Sequence, residues 1–343
     1  MLHRIRFVWP VAIGVSLLSA VLALGEDGSV NRLQAADASN VLDASGMKPW
    51  HLKLTVQLFD AKGKPLDHGT IEERWGGGMD RIDYSMEAYQ STQIRRDGKV
   101  YRTKGTGTAP YLIELLRMQA VHPMPKTDEV LGSKPELRKL SFGKVTLDCI
   151  TLTQPIKRLA FAPLGLFPTY CFDPGKDALR ASYEFGNQAI LRNRIGSFQG
   201  KTVALDVSVV SGGVVIASSQ IITLAAADIN ENEMTPTAGE GPHEAIVPVA
   251  SAVMMAGALI SKPDPVYPES AKSHQIEGKV ILHAEIGTDG RIHSLKLISA
   301  DDPDLAISAI AAVRQWVYKP YLLNGEPSDV ETTITVNFNF ERR

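Results

Sequence analysis

His283 and His293 are close enough in sequence to suggest a metal centre, since imidazole nitrogens are common metal ligands. Between them lies Asp289-Gly290, a typical two-residue hairpin turn. Closing the hairpin there sets Leu282 opposite Leu297, His283 opposite Lys296, Ala284 opposite Leu295 and Ile286 opposite His293. The two histidines then project from opposite faces, which argues against a shared metal. His68 with Glu72-Glu73 offers acid–base groups, but as a lone cluster on a strand. Gly105-Thr106-Gly107 has the composition of a phosphate loop, yet no Gly-Lys-Ser/Thr follows, so it reads as a turn. Gly-x-Ser-x-Gly, His-Glu-x-x-His and paired-carboxylate signatures do not occur. The expectation is a non-enzymatic protein without cofactor or metal. Only two cysteines occur, Cys149 and Cys171, enclosing 23 residues. The favoured reading is a disulfide, worth about 3 kcal/mol on the chain-entropy account; two separately buried thiols are the alternative.

The elements that must position these residues fall into two groups. From 48 to 228 the sequence reads as an antiparallel β-rich module. Trp50, Leu52, Leu54, Val56 and Leu58 alternate with polar residues, and further strands are expected at Thr70–Trp75, Arg81–Met86 and Thr92–Arg102, the last folded at Asp97-Gly98. One helix, with Thr108 as cap, Pro110 in its first turn and Tyr111, Leu112, Leu115 and Leu116 on one face, interrupts the meander. Strands resume at Val145–Thr153, Thr169–Asp173, Ala178–Phe185, Gln188–Arg194, Thr202–Val210 and Val214–Leu224. A sheet curved over its single long helix is the expected form.

The second group lies at 263–343. A short helix at Glu269–Ser273 precedes the hairpin, and a helix follows Asp301-Asp302-Pro303, with Leu305, Ala309, Ala312, Val313 and Trp316 on one face. A last strand alternates Val330, Thr332, Ile334, Val336, Phe338 and Phe340 with polar residues. The fold class is thus α+β: a curved antiparallel sheet with one main helix, then a small domain of two helices on a three-stranded antiparallel sheet. A tight hairpin leaves no room between its strands, so the last strand belongs at an edge, open to a partner's strand. Residues 229–262 between the modules are expected to be linker, with an apolar stretch at Ile246–Ile260 that packs as an added strand or docking segment.

Residues 1–25 read as a signal peptide or membrane anchor, with basic His3, Arg4 and Arg6 before the uncharged run Phe7–Leu24, and 26–47 as a polar lead-in. Lys+Arg 36 against Asp+Glu 38, with no basic cluster, excludes nucleic acid as a partner. The bulk of the chain is therefore expected outside the cytoplasm, held to a membrane by that segment or released from it.

Tyr267-Pro268, Ala271, Gly278, Val280, Asp289-Gly290, Ala309, Val313, Trp316, Pro320, Gly325 and Val336-Asn337-Phe338 together resemble the C-terminal domain of the TonB energy-transducer family over about 263–343. The N-terminal module resembles, at the level of architecture alone, the half-barrel of periplasmic lipoprotein-carrier proteins. The first resemblance implies a periplasmic location, anchored in the inner membrane or released, and binding of an outer-membrane receptor or other envelope protein by edge-strand addition, with energy passed on from an inner-membrane proton-channel complex. The residues assigned to partner binding are Tyr267, Pro268, Thr332, Thr333, Ile334, Thr335, Val336, Asn337 and Phe338. An alternative is carriage of a lipid or other apolar ligand by the β module, with the C-terminal domain for docking. The usual long Pro-rich spacer of the family is replaced here by a folded module, and the apolar N-terminal segment has Ser16 and Ser19 but no His.

Overall fold

The computed structural model describes residues 26–104, 109–154, 156, 162–184, 188–236, 246–248, 259–323 and 325–340. The expected export segment at 1–25 and the Gly105–Gly107 turn lie outside them.

Helix α1 (Glu26–Asn40) comes first, where a polar lead-in was expected. It buries Ser29, Leu33, Ala36 and Asn40, and half of that stripe is polar. Strands β1 (Trp50–Phe59), β2 (Pro65–Gly76), β3 (Met79–Met86), β4 (Gln90–Arg96) and β5 (Lys99–Lys104) form the expected meander. Helices α2 (Tyr111–Val121) and α3 (Thr127–Leu131) follow, then β6 (Lys134–Phe142), β7 (Val145–Thr153), β8 (Thr169–Phe172), β9 (Leu179–Glu184), β10 (Gln188–Phe198), β11 (Lys201–Ser211) and β12 (Val214–Ala226). All twelve strands join one antiparallel sheet in the order β5-β4-β3-β2-β1-β12-β11-β10-β9-β8-β7-β6. Two chain-consecutive meanders thus meet where β1 pairs with β12.

Helix α2 places Ile113, Leu116, Ala120 and Val121 against Leu52, Leu54, Ile71 and Val207 of the sheet. Helix α1 covers the other half through Leu33 and Ala36, against Ile150, Leu152, Tyr170 and Phe172. The single long helix expected from sequence is therefore two. Cys149 and Cys171 are directly opposed in β7 and β8 and form the disulfide. They pack in a separate cluster with Leu147 and Ala181.

In the C-terminal part, β13 (Ile246–Pro248) and β14 (Leu259–Ser261) come from the apolar stretch expected to dock. Helix α4 (Glu269–Ser273), β15 (Gly278–Ile286), β16 (Ile292–Ala300), α5 (Pro303–Val313), β17 (Val317–Tyr318), β18 (Tyr321–Leu323) and β19 (Glu326–Phe338) complete the chain. The sheet order is β13-β19-β15-β16, with β18 paired to one end of β19. Asp302 caps α5 by accepting from the Asp304 N–H at 2.9 Å, and Pro303 opens the first turn. Gly290, at φ +74°, is required twice over: by the turn, and because a Cβ would come within 1.9 Å of the Tyr318 carbonyl.

The hairpin register agrees at Leu282↔Leu297, His283↔Lys296 and Ala284↔Leu295. It departs at the turn, where Ile286 faces Ile292 rather than His293, because a bulge accommodates an extra residue in β16. Trp316 also departs: α5 ends at Val313, and Trp316 lies beyond it, buried, with its indole N–H on the Pro263 carbonyl at 3.0 Å.

The modules pack together. Leu166 and Phe167 of the first join the C-terminal core, Lys296 pairs with Glu129 at 2.5 Å, and Tyr111 stacks on His293 at 5.1 Å.

Candidate partner-binding edge

The side chains of β19 alternate: Val330, Thr332, Ile334, Val336 and Phe338 are buried, while Thr333, Thr335 and Asn337 are exposed. The buried set packs with Leu305, Ala309 and Val313 of α5 and with Val280, Leu282 and Ala284 of β15. The direction of the main-chain groups follows from β15. Lys279 donates its N–H to Asp301 Oδ2 and accepts from the Asp301 N–H, and Gly287 donates to the Arg291 carbonyl, all toward β16. Thr288 donates instead to Asp329, on the β19 side. Odd-numbered residues of β15 therefore bond to β16 and even-numbered ones to β19.

The β15–β19 register runs from Gly278↔Phe338 to Ile286↔Val330 without a shift. Thr332, Ile334, Val336 and Phe338 consequently exchange bonds with β15, and Glu331, Thr333, Thr335 and Asn337 direct N–H and C=O to the other side. The first part of that side is closed within the chain. Strand β13 lies parallel to Asp329–Glu331, and β18 pairs with Glu326–Ser328. From Thr332 onward no strand lies on that side of β19 among the described residues. Among the described residues, the outer side of β19 is therefore covered over Glu326–Glu331 and has no neighbouring strand over Thr332–Phe338. Of the seven strand positions assigned from sequence, Thr333, Thr335 and Asn337 present main-chain groups at the open margin.

Tyr267 holds the far end of this margin. Its hydroxyl donates to the Ile276 carbonyl at 2.6 Å, and its ring stacks on Phe340 at 4.9 Å and meets Phe338 edge-on at 5.4 Å. Pro268 stands before α4 and lines a separate groove of about 390 Å³, with Val266 and Ile307. The structure thus places Tyr267 beside the strand end and Pro268 away from it. Sequence reasoning expected an added strand from Ile246–Ile260 but not its place beside β19, and it missed β18, which is three residues long and too short for alternation to reveal.

The N-terminal module holds a second polar constellation. Glu72 and Glu73, adjacent in β2, go to opposite faces. Glu72 bonds His51 at 2.8 Å and Lys53 at 3.1 Å, while Glu73, 1% exposed, is gripped by both oxygens by the buried Arg117 at 2.8 and 2.9 Å. Arg117 also holds Glu114 at 2.8 and 3.0 Å, and Glu114 accepts from Tyr84 at 2.6 Å and from Arg95 at 3.1 Å. Burial opposes every charge here. It raises Glu114, but Arg117 and Arg95 outweigh it and hold the carboxyl well below its usual range. Asp80 goes the other way: burial first, then the Glu73 charge, push it up to about 7. A network of this kind, with both partners out of water, fixes α2 in one position on the sheet. His68 lies apart, exposed and paired with Glu87 at 3.5 Å.

No described helix is long and apolar enough to cross a membrane. No curated protein sequence matches the chain. Among solved structures it is similar to a LolA superfamily protein from Nitrosomonas europaea, at 9% identity over 62% of this chain and 98% of that one, TM-score 0.39. It is similar also to an outer-membrane lipoprotein-sorting protein domain from Vibrio parahaemolyticus, at 9% identity over 61% and 97%, TM-score 0.37. A third similarity, at 26% identity over 25% and 87% with TM-score 0.22, is to the C-terminal domain of Pseudomonas aeruginosa TonB. The part of the chain that carries the half-open margin, residues 263–340, matches the family model of the Gram-negative bacterial TonB protein C-terminal.

Proposed function

We propose that this chain is a non-enzymatic cell-envelope protein whose TonB-type domain binds an outer-membrane receptor or other envelope partner by adding an extended segment of that partner to the open half of β19, and transmits energy for transport. The observation that carries the reading is the row of outward N–H and C=O groups at Thr333, Thr335 and Asn337, beside a stretch already closed by β13. An incoming strand continues the sheet from that point, gaining main-chain hydrogen bonds of about 0.5–1.5 kcal/mol net each. The family match at 263–340 supports the envelope setting and the class of partner.

The test is a pair of proline variants in the full chain. Thr335→Pro removes an outward donor and leaves the β15 ladder intact, so pull-down of partner from envelope membranes is expected to fall at least tenfold with an unchanged melting temperature. Val336→Pro removes a bond to β15 and is expected to destabilise the domain itself. Full partner recovery by a folded Thr335→Pro variant would refute strand addition. The alternative reading, a lipid or other apolar ligand sheltered under the N-terminal sheet, has to contend with α2, which occupies that face through the Arg117 network and an apolar contact.

A further inference from the structure

On the face of the C-terminal sheet turned away from α5, His283, Glu285 and Glu331 bring their donor atoms within 4.8 Å of one another. His283 and Glu285 are two apart on β15, and Glu331 stands directly opposite Glu285 on β19. Two carboxylates facing each other across an antiparallel pair repel, and such a pair is ordinarily relieved by a neighbouring cation. Lys296, opposite His283, attracts Glu285 at longer range, but its ammonium is held in direct contact by Glu129 at 2.5 Å. Among the described residues neither Glu285 nor Glu331 has an ion-pair or hydrogen-bond partner. All three side chains are half-buried, so water screens the repulsion only in part.

We propose that His283, Glu285 and Glu331 form a binding site for a divalent transition-metal ion of the zinc class. The donor set is one imidazole nitrogen and two carboxylates, which suits zinc and its neighbours; calcium prefers six to eight oxygen ligands, and magnesium a near-ideal octahedron of oxygens. The ligands sit on paired strands whose register runs unbroken through them, so the site is positioned by the sheet rather than by loops. Three protein ligands leave a coordination position for water or for a donor from elsewhere. Glu331 pairs with Pro248, the last described residue of β13, so the ion would sit beside that parallel pairing. His293, the other histidine of the hairpin, takes no part: it bonds Asp289 at 2.9 Å and stacks on Tyr111.

The experiment uses the full chain stripped of metal by chelator, titrated with zinc chloride by calorimetry, with calcium and magnesium chlorides in parallel. The expected result is one zinc bound per chain at a micromolar or lower dissociation constant, with a rise in melting temperature. His283→Asn and Glu331→Gln are each expected to weaken binding at least about tenfold, while His293→Asn leaves it unchanged. Glu331→Gln relieves the carboxylate repulsion, so this variant should fold at least as well as the parent and keep the test decisive. Zinc binding that is absent, or the same in the parent and in both ligand variants, would overturn the site. Equal affinity for calcium or magnesium would overturn the assignment of metal class.

Discussion

Asp80 and Glu114 share one buried network and answer pH in opposite directions. Glu114 is held below its ordinary value of 4.5, so its contribution is present above that pH and fades as acid is added. Asp80 rises from 3.8 to about 7, so the folded chain holds a proton there that the unfolded chain releases. Stability from Asp80 is present below about pH 4 and lost as pH rises to about 7, an effect of at most about 4 kcal/mol. Asp80→Asn should therefore abolish part of the fall in melting temperature between pH 5 and pH 8, a window in which Glu114 stays ionised; an identical fall in parent and variant would remove Asp80 as its source. Of the carboxylates in this network only Glu73 stood out in the sequence, as one half of the pair Glu72-Glu73. Strand alternation implies that they face opposite ways, but nothing local indicates that Arg117, 44 positions on, meets Glu73. The same limit applies to Glu331, whose approach to Glu285 depends on a pairing between strands distant in sequence.

At the scale of elements, legibility followed burial pattern. Strand β7 was expected at Val145–Thr153 and occurs there, and α4 matches to the residue, because each has a clear period or a clear stop. Helix α1 escaped because two of its four buried positions are Ser29 and Asn40; the spacing is helical but the chemistry is not apolar. Strand β6 escaped because it is an edge strand, with Pro135 and several charges and little alternation. The bulges in β16 displace the register both beside the turn, at Ile286↔Ile292, and at the far end, at Ile281↔Ser299, because a turn signal carries no information on an extra residue within a strand. Pairing of Cys149 with Cys171 across β7 and β8 agrees with the reading from cysteine economy. Replacing both by serine should lower unfolding free energy by about 3 kcal/mol, read from urea denaturation, with the same sheet by circular dichroism. A loss near zero would mean that the β7–β8 ladder alone holds this part of the sheet.

For the molecule as a whole, the two modules are less independent than the expected linker suggested. Phe167 belongs to the first module by sequence and to the C-terminal core by contact, and it is 2% exposed. Phe167→Ala should cost about 3–5 kcal/mol and weaken the coupling between modules, so that calorimetry resolves two transitions in the variant against one in the parent. A single transition at an unchanged temperature would show that the insertion carries no coupling. The charges and the alternation of each module were readable locally, whereas this insertion comes from a loop with no period of its own.

The two outer strands of the large sheet bear consistently on how copies of this protein meet. Strand β5 carries Lys99, Arg102 and Lys104, and β6 carries Lys134, Arg138 and Lys139. Both rims are rich in basic residues, with Glu136 pairing Arg138 on β6, and Pro135 removes a donor there, so like-to-like pairing along them is discouraged. The rim of the small sheet at β16 is broken by two bulges. That leaves the uncharged run Thr333, Thr335, Asn337 as the permissive rim among the described strands, a stretch where an approaching strand would meet neither a row of like charges nor a bulge.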